Sequence, residues 1–569
     1  MSAVRTFTGA ILIAILGILS PVSAAPSSIT IPDNIRQHIP ADAYLMVYAP
    51  SAEKLISSLS KTIGTVDQQA AMQLQMMPMM GGMMLFKNED ATKQTQLDLS
   101  APIAFALSQG KAGIEPAMSV IIGVKGDHAG LSSAMNPAMK VTSINGSPLV
   151  VMSDAPDGKA IAADAQLMQN IPPGEISIAF DQALFYKQNG PMIDMMMSQM
   201  ANPGMHQQDD PTAKMMMEQA KQTAAQIKLF MEMFKSWDFS MSFNGPDMTT
   251  TIRWIPTDPK MNAAGSADLG RYSNVLVDNS PLGAVMSHGA LEMMLWAQEG
   301  QTAGLPGAAG QAMKIMMDHA QKIVKEMDGS VGISYGLGSK GLWCLQLFNV
   351  KNKESYMKGS AEMWTALNDA GLGISVTDLK LLDGGTGYTV RLDMQEMMSK
   401  MGMGSLIPPK EMAMISSVIN ALLGGEVGFQ IRYLTNGNKM AIVMGRNGKV
   451  LGAAKQMLNS SEPAKSNILN ELVSTAQGSP TLALSLDFRS AFSELMVFMR
   501  SIPELQDEMK DLPTAVPAGD PVRLDATCTA MTKGGQMIVD FNLGGFAEMM
   551  KQMEESMDAM KKNKAAMAN

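Results

Sequence analysis

Methionine is the residue type whose number and spacing in this chain most clearly indicate a chemical role. It accounts for 58 of 569 residues and is densest in two segments, 72–84 and 192–205. A thioether sulfur is a soft ligand that suits Cu(I), and clustered methionines are a donor set for that ion. The sequence therefore contains a candidate copper site, whose ligands would be Met76, Met79, Met80, Met83, Met205 and His206.

The same side chains also suit a different task. Methionine is unbranched and polarizable, so a surface lined by it can repack around varied apolar partners. We therefore expect an apolar surface or cleft that binds lipid, peptide or an envelope protein. Its candidate residues are Met76, Met77, Met79, Met80, Met83, Met84, Met195, Met196, Met197 and Met200.

A third explanation is that methionine fills the core where other proteins use leucine. It suits the segments 212–236 and 546–562, whose apolar residues recur every three or four positions, as on one face of a helix. The clusters at 72–84 and 192–205 contain proline and glycine, and this composition predicts apolar loops or short helical fragments.

Enzyme signatures are missing from the sequence. It has no Gly-x-Ser-x-Gly elbow, phosphate-binding loop or His-Glu-x-x-His helix, and its five histidines are scattered. The glycines of 336–341 fit a dinucleotide-binding pattern, but a strand-like segment follows them and predicts a hairpin turn. We expect a non-enzymatic protein, and an unrecognised hydrolase is the third hypothesis after copper binding. A net charge of −9 disfavours a nucleic-acid partner.

The first residues predict export. Residues 1–24 combine Arg5, an apolar stretch and the small-residue motif Val22-Ser23-Ala24, which is the pattern of a cleaved signal peptide. No later segment reaches 18 uncharged apolar residues, so we expect a periplasmic or secreted protein with no stable membrane anchor. An oxidising compartment would allow a disulfide between Cys344 and Cys528, although two buried thiols are the favoured alternative.

Alternating strands, turn signals and amphipathic helices recur along the chain. Asn436-Gly437 between two apolar runs is the strongest hairpin signal. Hairpins imply antiparallel pairing, so we predict an α+β fold of antiparallel sheets with Met-rich amphipathic helices packed on one face. The order of units repeats, which suggests two related halves. The predicted segments are a signal peptide (1–24), an N-terminal half (25–257), a linker (258–279), a C-terminal half (280–545) and a C-terminal helix with tail (546–569).

The segment from Ile39 to Val47, Ile-Pro-Ala-Asp-Ala-Tyr-Leu-Met-Val, precedes a Leu-rich helix. It resembles the start of the mature chain in a class of exported bacterial envelope proteins of unknown function. The resemblance covers about 20 residues and implies an exported α+β protein with repeated antiparallel segments. It implies no catalytic residues, and the high methionine content departs from it.

Overall fold

The computed structural model describes most of the chain. Its described residues are 29, 31–64, 68–85, 95–110, 116–126, 140–144, 147–153, 160–162, 165, 167, 171–201, 228, 232–258, 269–277, 280–302, 307–379, 381, 386–400, 409–460, 467–476, 478–509, 513, 515–531 and 534–568. The signal peptide predicted at 1–24 lies outside them, as do Met205 and His206.

Within these residues the chain forms nineteen strands. They are β1 (Leu45–Ala49), β2 (Thr95–Leu97), β3 (Ile103–Ser108), β4 (Ala117–Gly126), β5 (Lys140–Ser143), β6 (Leu149–Ser153), β7 (Ile176–Asp181), β8 (Phe234–Asn244), β9 (Asp247–Pro256), β10 (Leu282–Ser287), β11 (Met327–Gly338), β12 (Gly341–Val350), β13 (Ile374–Asp378), β14 (Thr386–Leu392), β15 (Phe429–Asn436), β16 (Lys439–Met444), β17 (Ser479–Asp487), β18 (Arg523–Met531) and β19 (Gly534–Phe541).

The α-helices of the same residues are α1 (Asp33–Arg36), α2 (Ala52–Gly64), α3 (Gln68–Leu85), α4 (Gln182–Ala201), α5 (His288–Thr302), α6 (Gly307–Lys325), α7 (Lys353–Asp369), α8 (Met394–Lys400), α9 (Pro409–Leu422), α10 (Gly448–Asn459), α11 (Ile468–Thr475), α12 (Phe488–Arg500), α13 (Gln506–Met509) and α14 (Leu543–Ala568). Short 3-10 helices lie at Leu269–Val275, Gly425–Val427 and Pro503–Leu505.

All strand pairings are antiparallel, and they join the strands into one sheet. The order across it is β5-β6-β4-β3-β1-β7-β8-β9-β19-β18-β17-β10-β11-β12-β16-β15-β14-β13, and β2 pairs with the end of β4. The predicted fold class, α+β with antiparallel sheets, is confirmed.

Seven strands of each half follow the same pairing order. The order β6-β4-β3-β1-β7-β8-β9 corresponds to β16-β12-β11-β10-β17-β18-β19. The registers make individual residues equivalent: Phe180 pairs with Leu45, as Leu486 pairs with Leu282. Both β7 and β17 end in an aspartate that caps the next helix, and Asp181 and Asp487 accept hydrogen bonds from its first turn.

The hairpin turns form where the sequence predicts them. Asn436-Gly437 joins β15 to β16, and Gly437 takes the left-handed conformation (φ +58°) that this turn requires. The glycines of 336–341 lie in the β11–β12 hairpin, where Gly338 pairs with Gly341. The dinucleotide-binding alternative is thereby excluded, because no helix follows the turn.

Helices cover both faces of the sheet in the C-terminal half. On face A, the side that carries Ala284 and Met286, residues from α5, α6, α7, α12 and α14 pack on the strands. On face B, the side that carries Val285, α10, α11 and the 3-10 helix at Leu269–Val275 pack instead. The expectation of helices on one face therefore does not hold for this half. Its central strands carry apolar residues on both sides, so both faces of the sheet must be covered by helices.

Two local expectations were wrong. The segments 72–84 and 192–205 were predicted to lack clean helices, yet α3 continues through Pro78, Gly81 and Gly82, and α4 contains Pro191. Most residues around these breakers favour a helix, and one proline removes only one backbone hydrogen bond.

The predicted core stripe at 212–236 lies mostly outside the described residues, and its end, from Phe234, begins β8. The stripe at 546–562 is helical, within α14.

The two cysteines do not form a disulfide. Cys344 and Cys528 are both buried, and each keeps its thiol. Their strands, β12 and β18, are separated by β11, β10 and β17, so about 19 Å lies between them at the spacing of paired strands. A disulfide needs Cα atoms within about 7 Å. Burial raises the pKa of the Cys344 thiol to about 12, so it is unreactive at neutral pH.

A partly buried carboxyl group, that of Glu494, connects α12 to the end of β11. Glu494 accepts a hydrogen bond from the Leu337 backbone N–H at 2.5 Å. Burial raises its pKa from an ordinary value of 4.5 to about 7, against the lowering effect of that hydrogen bond. In the unfolded chain the same group loses its proton near its ordinary value. Between these two pH values the folded state therefore holds more protons than the unfolded state.

We predict that the free energy of unfolding falls as pH rises from 4.5 to 7 and that Glu494→Gln removes this contribution. The variant should be more stable than wild type by about 1–2 kcal/mol at pH 8 and no more stable at pH 4; the carboxyl is partly solvated, which keeps the effect below the full linkage value. Urea unfolding of both proteins across this pH range measures it. An equal difference at pH 4 and pH 8 contradicts the prediction.

Candidate functional site

Face A of the N-terminal half carries an apolar surface that its helices cover incompletely. We call these residues the open face; all are apolar or aromatic and all are partly exposed. They are Leu45, Val47, Ile103, Phe105, Leu107, Ile176, Ile178, Phe180, Trp237, Phe239, Met241 and Phe243. They share one side of β1, β3, β7 and β8, because the registers place them opposite one another in rows.

The equivalent surface of the C-terminal half is buried along β17 and the middle of β18, whereas Leu282, Ile333, Tyr335 and Leu524 in the same rows are partly exposed. Ile176, Ile178 and Phe180 of β7 correspond to Leu482, Leu484 and Leu486 of β17, which are only 3 to 4 % exposed. On the next strand, the partly exposed Phe239 and Met241 correspond to the fully buried Ala526 and Cys528. The same position in the same strand order is therefore closed in one half and open in the other.

Small and polar residues connect the helices α2 and α3 of the N-terminal half. The buried positions of α2 are Ala52, Ser60 and Thr62, and among the described side chains of α3 Ala71 is buried. Ser60 joins the two helices, since its hydroxyl donates to the Ala71 carbonyl and accepts from the Gln75 amide.

Aromatic rings fix the start of α4 on the open face. The centroid of the Phe185 ring lies 5.0 Å from that of Tyr44 and 5.3 Å from that of Phe180. The Phe180 ring centroid in turn lies 5.3 Å from that of Trp237. The Gln188 amide also donates to the Asp42 carbonyl at 2.9 Å. The first half of α4 is thus held against the sheet by packing and by one hydrogen bond.

Methionines dominate the large apolar side chains that α3 and α4 expose. Met72 and Met76 on α3 are 53 % and 54 % exposed, and Met192 and Met195 on α4 are 39 % and 61 % exposed. Of the residues predicted to bind a partner, Met76 and Met195 therefore lie on the surface. The others on these helices are Met77, Met79, Met80, Met83, Met84, Met196, Met197 and Met200, whose side chains fall outside the described part of the structure. Met72 and Met192 were not singled out in the sequence.

A polar region lies on face B, on the side of the sheet opposite the open face, where the two halves join. Asp238 of β8 pairs with Arg253 of β9, and the Arg253 Nε donates to Gln536 of β19 at 2.8 Å. Burial raises the pKa of Asp238 well above its ordinary value, although the Arg253 charge opposes this. The alternation Ser236-Trp237-Asp238-Phe239-Ser240 is the sequence signal for this polar side, but it did not identify the pairing across the halves.

A polar cleft of about 590 Å³ lies at the other edge of the sheet. It is bounded by the turn before β13, the end of β14, α8 and α9, and its lining includes Arg391, Asp393, Glu396 and Asn420. Most of these groups serve the fold. Asp393 caps α8 through the Glu396 backbone N–H, and Arg391 donates to the Glu426 carbonyl.

The described residues contain no cluster of three or more histidine, cysteine or acidic side chains placed to hold a metal ion. That finding does not bear on methionine ligands. Among the same residues, none of the helices combines the length and apolar character needed to cross a membrane.

We predict that oxidation by dilute peroxide separates the methionines into two groups. Met72, Met76, Met192 and Met195 should be converted to sulfoxide first, because their sulfur atoms lie on exposed helical surfaces. Met46, Met152, Met440 and Met549 are buried and should react at least tenfold more slowly, as peptide mapping by mass spectrometry would measure. Equal rates for both groups would contradict this arrangement.

No family model and no curated protein matches the chain. Solved structures of the protein TP0453 show a weak similarity. Crystal form IV has a TM-score of 0.23 and 9 % identity, covering 51 % of this chain and 98 % of that one. Form I has a TM-score of 0.22 and 10 % identity, covering 52 % and 98 %. Similarity at this level supports no inference about the function of this chain.

Proposed function

We propose that this is an exported, non-enzymatic protein that binds a hydrophobic ligand on the open face, between the sheet and helices α3 and α4. The single observation that carries the proposal is the contrast between the halves. Ile176, Ile178 and Phe180 remain partly exposed, while their equivalents on β17 are buried. Apolar area left exposed is unfavourable by roughly 25 cal/mol per Å², so covering it favours binding.

The exposed methionines support the same function. A monomeric helix normally directs its large apolar residues toward the core. In the described first part of α3 the small Ala71 is buried, while Met72 and Met76 are exposed. Flexible thioether side chains at such positions can fold over a bound molecule and adapt to its shape.

The chemistry of the open face favours a hydrocarbon chain over a peptide. A bound peptide must satisfy its backbone N–H and C=O groups with hydrogen bonds. The open-face side chains are apolar, and β1, β7 and β8 already pair with strands on both sides. A hydrocarbon chain needs no such partners, so a lipid is the proposed ligand and a peptide or protein is the alternative.

Uptake of a hydrophobic fluorophore or a lipid by the delipidated mature protein tests this proposal. Ile178→Glu places a charge in the middle of the open face and should reduce uptake at least tenfold, since an unpaired carboxylate is costly beside bound hydrocarbon. Ile178 is already partly exposed, so we expect the variant to remain folded, which circular dichroism checks.

Met414→Glu is the matched control. Met414 is an exposed apolar residue of the C-terminal half, on α9, and the same substitution there should leave uptake unchanged. An equal loss in both variants, or no uptake by the wild-type protein, would overturn the proposal. Tight binding of an apolar peptide with no lipid bound would support the alternative.

Copper binding is the second candidate function, and the helical form of α3 favours it. Met76, Met79, Met80 and Met83 recur three or four residues apart, the spacing at which positions share one face of a helix. We predict that replacing these four residues by leucine abolishes tight Cu(I) binding if this function is correct. Titration under reducing conditions measures it, and micromolar or weaker affinity that is unchanged by the replacement excludes copper.

A further inference from the structure

Trp237, the first open-face residue of β8, has a side-chain hydrogen-bond donor with no acceptor. The Trp237 Nε1 is buried and lies within hydrogen-bonding distance of no protein acceptor. The indole ring itself is partly exposed and packs 5.3 Å from Phe180. A buried N–H without an acceptor destabilises a protein, and native structures rarely contain one without a cause.

The equivalent position of the C-terminal half contains no donor. The registers place Leu524 of β18 beside Leu486, as Trp237 of β8 lies beside Phe180. An aliphatic side chain fills this position at no polar cost. Of these two matching positions, the one beside the open face therefore has an unpaired indole donor and the other has none.

Trp237 also marks a boundary within the sheet. Across the β8–β9 pair it lies opposite Trp254, which belongs to the buried core of the C-terminal half. In the other direction Phe239, Met241 and Phe243 follow on the same side of β8. The row from Trp237 to Phe243 is about 20 Å long, because a strand rises about 3.3 Å per residue. It forms an apolar track whose inner end, at Trp237, contains one polar atom, the indole nitrogen.

We propose that the ligand of the open face is an esterified acyl chain whose carbonyl oxygen accepts a hydrogen bond from Trp237. This inference rests on the proposed lipid-binding function and specifies its ligand class. The hydrocarbon lies against Ile178, Phe239 and Met241, and the carbonyl lies at the inner end of the track. Because α4 packs on β8 and Phe185 packs on Phe180, binding of the carbonyl at Trp237 requires the contacts of this first turn of α4 to open.

An ester suits this position better than a free carboxylate. None of the open-face residues carries a charge. A carboxylate placed there would lose its water without gaining a cationic partner, and that loss is far costlier than burying a neutral carbonyl. The indole N–H is a donor only, so it matches the acceptor oxygen of an ester.

The test compares three probes with one chain length: methyl palmitate, palmitate at pH 8 and hexadecane. We expect wild-type protein to bind methyl palmitate about tenfold more tightly than hexadecane, the effect of one hydrogen bond, with palmitate weaker than the ester. Trp237→Phe removes the N–H and keeps an aromatic ring. It should bind the ester and the hydrocarbon equally.

Phe239→Leu is the control for lost packing, because it shortens the track and leaves the donor. It should weaken both probes by the same factor and preserve their tenfold ratio. An unchanged ratio in Trp237→Phe, or tighter binding of palmitate than of the ester, overturns the inference while leaving lipid binding intact. Failure of wild-type protein to bind any of the three overturns the proposed function instead.

Discussion

The pairing of β9 with β19 is the interaction on which the whole architecture depends. These two strands are equivalent within their halves, and they meet in antiparallel register with Thr251 opposite Ile538. Through this one ladder of backbone hydrogen bonds the two sets of strands become a single sheet. It also leaves neither strand as an exposed edge, which would otherwise attract other chains. C-terminal residues reinforce the junction, since Gly544 at the start of α14 donates to the Pro246 carbonyl in the β8–β9 turn.

The two halves use one strand order for different purposes. In the C-terminal half, long helices insert large side chains on face A, and Leu484, Ala526 and Cys528 become fully buried. In the N-terminal half, the equivalent Ile178, Phe239 and Met241 stay partly exposed. The N-terminal half therefore leaves apolar area exposed at positions that are buried in the C-terminal half. An unsealed surface reduces the stability of the free protein, and a bound ligand would restore it by mass action.

Methionine has two roles that differ by position. Met46, Met440 and Met549 are buried and act as ordinary core residues. Met72 and Met195 are exposed on helices of the N-terminal half, where core packing does not explain them. Composition alone could not separate these groups, because it does not say whether a methionine lies on a buried strand, as Met46 and Met440 do, or on the exposed side of a helix, as Met72 and Met195 do. Which side of a helix faces the sheet is decided by neighbouring elements, and those lie far away in sequence.

The sequence by itself determined the features that depend on local interactions. Period-two alternation, Asn436-Gly437 and the aspartates at 181 and 487 specified strands, a hairpin and helix caps, because each acts through neighbours a few residues away. Helix continuity through Pro78 and Pro191 was missed, since surrounding helix-forming residues outweigh a single breaker. Only the tertiary structure decided that face A is open in one half, that Arg253 meets Gln536, and that Cys344 and Cys528 lie far apart. These outcomes depend on which strands become neighbours, and the free energy of that pairing comes from residues hundreds of positions apart.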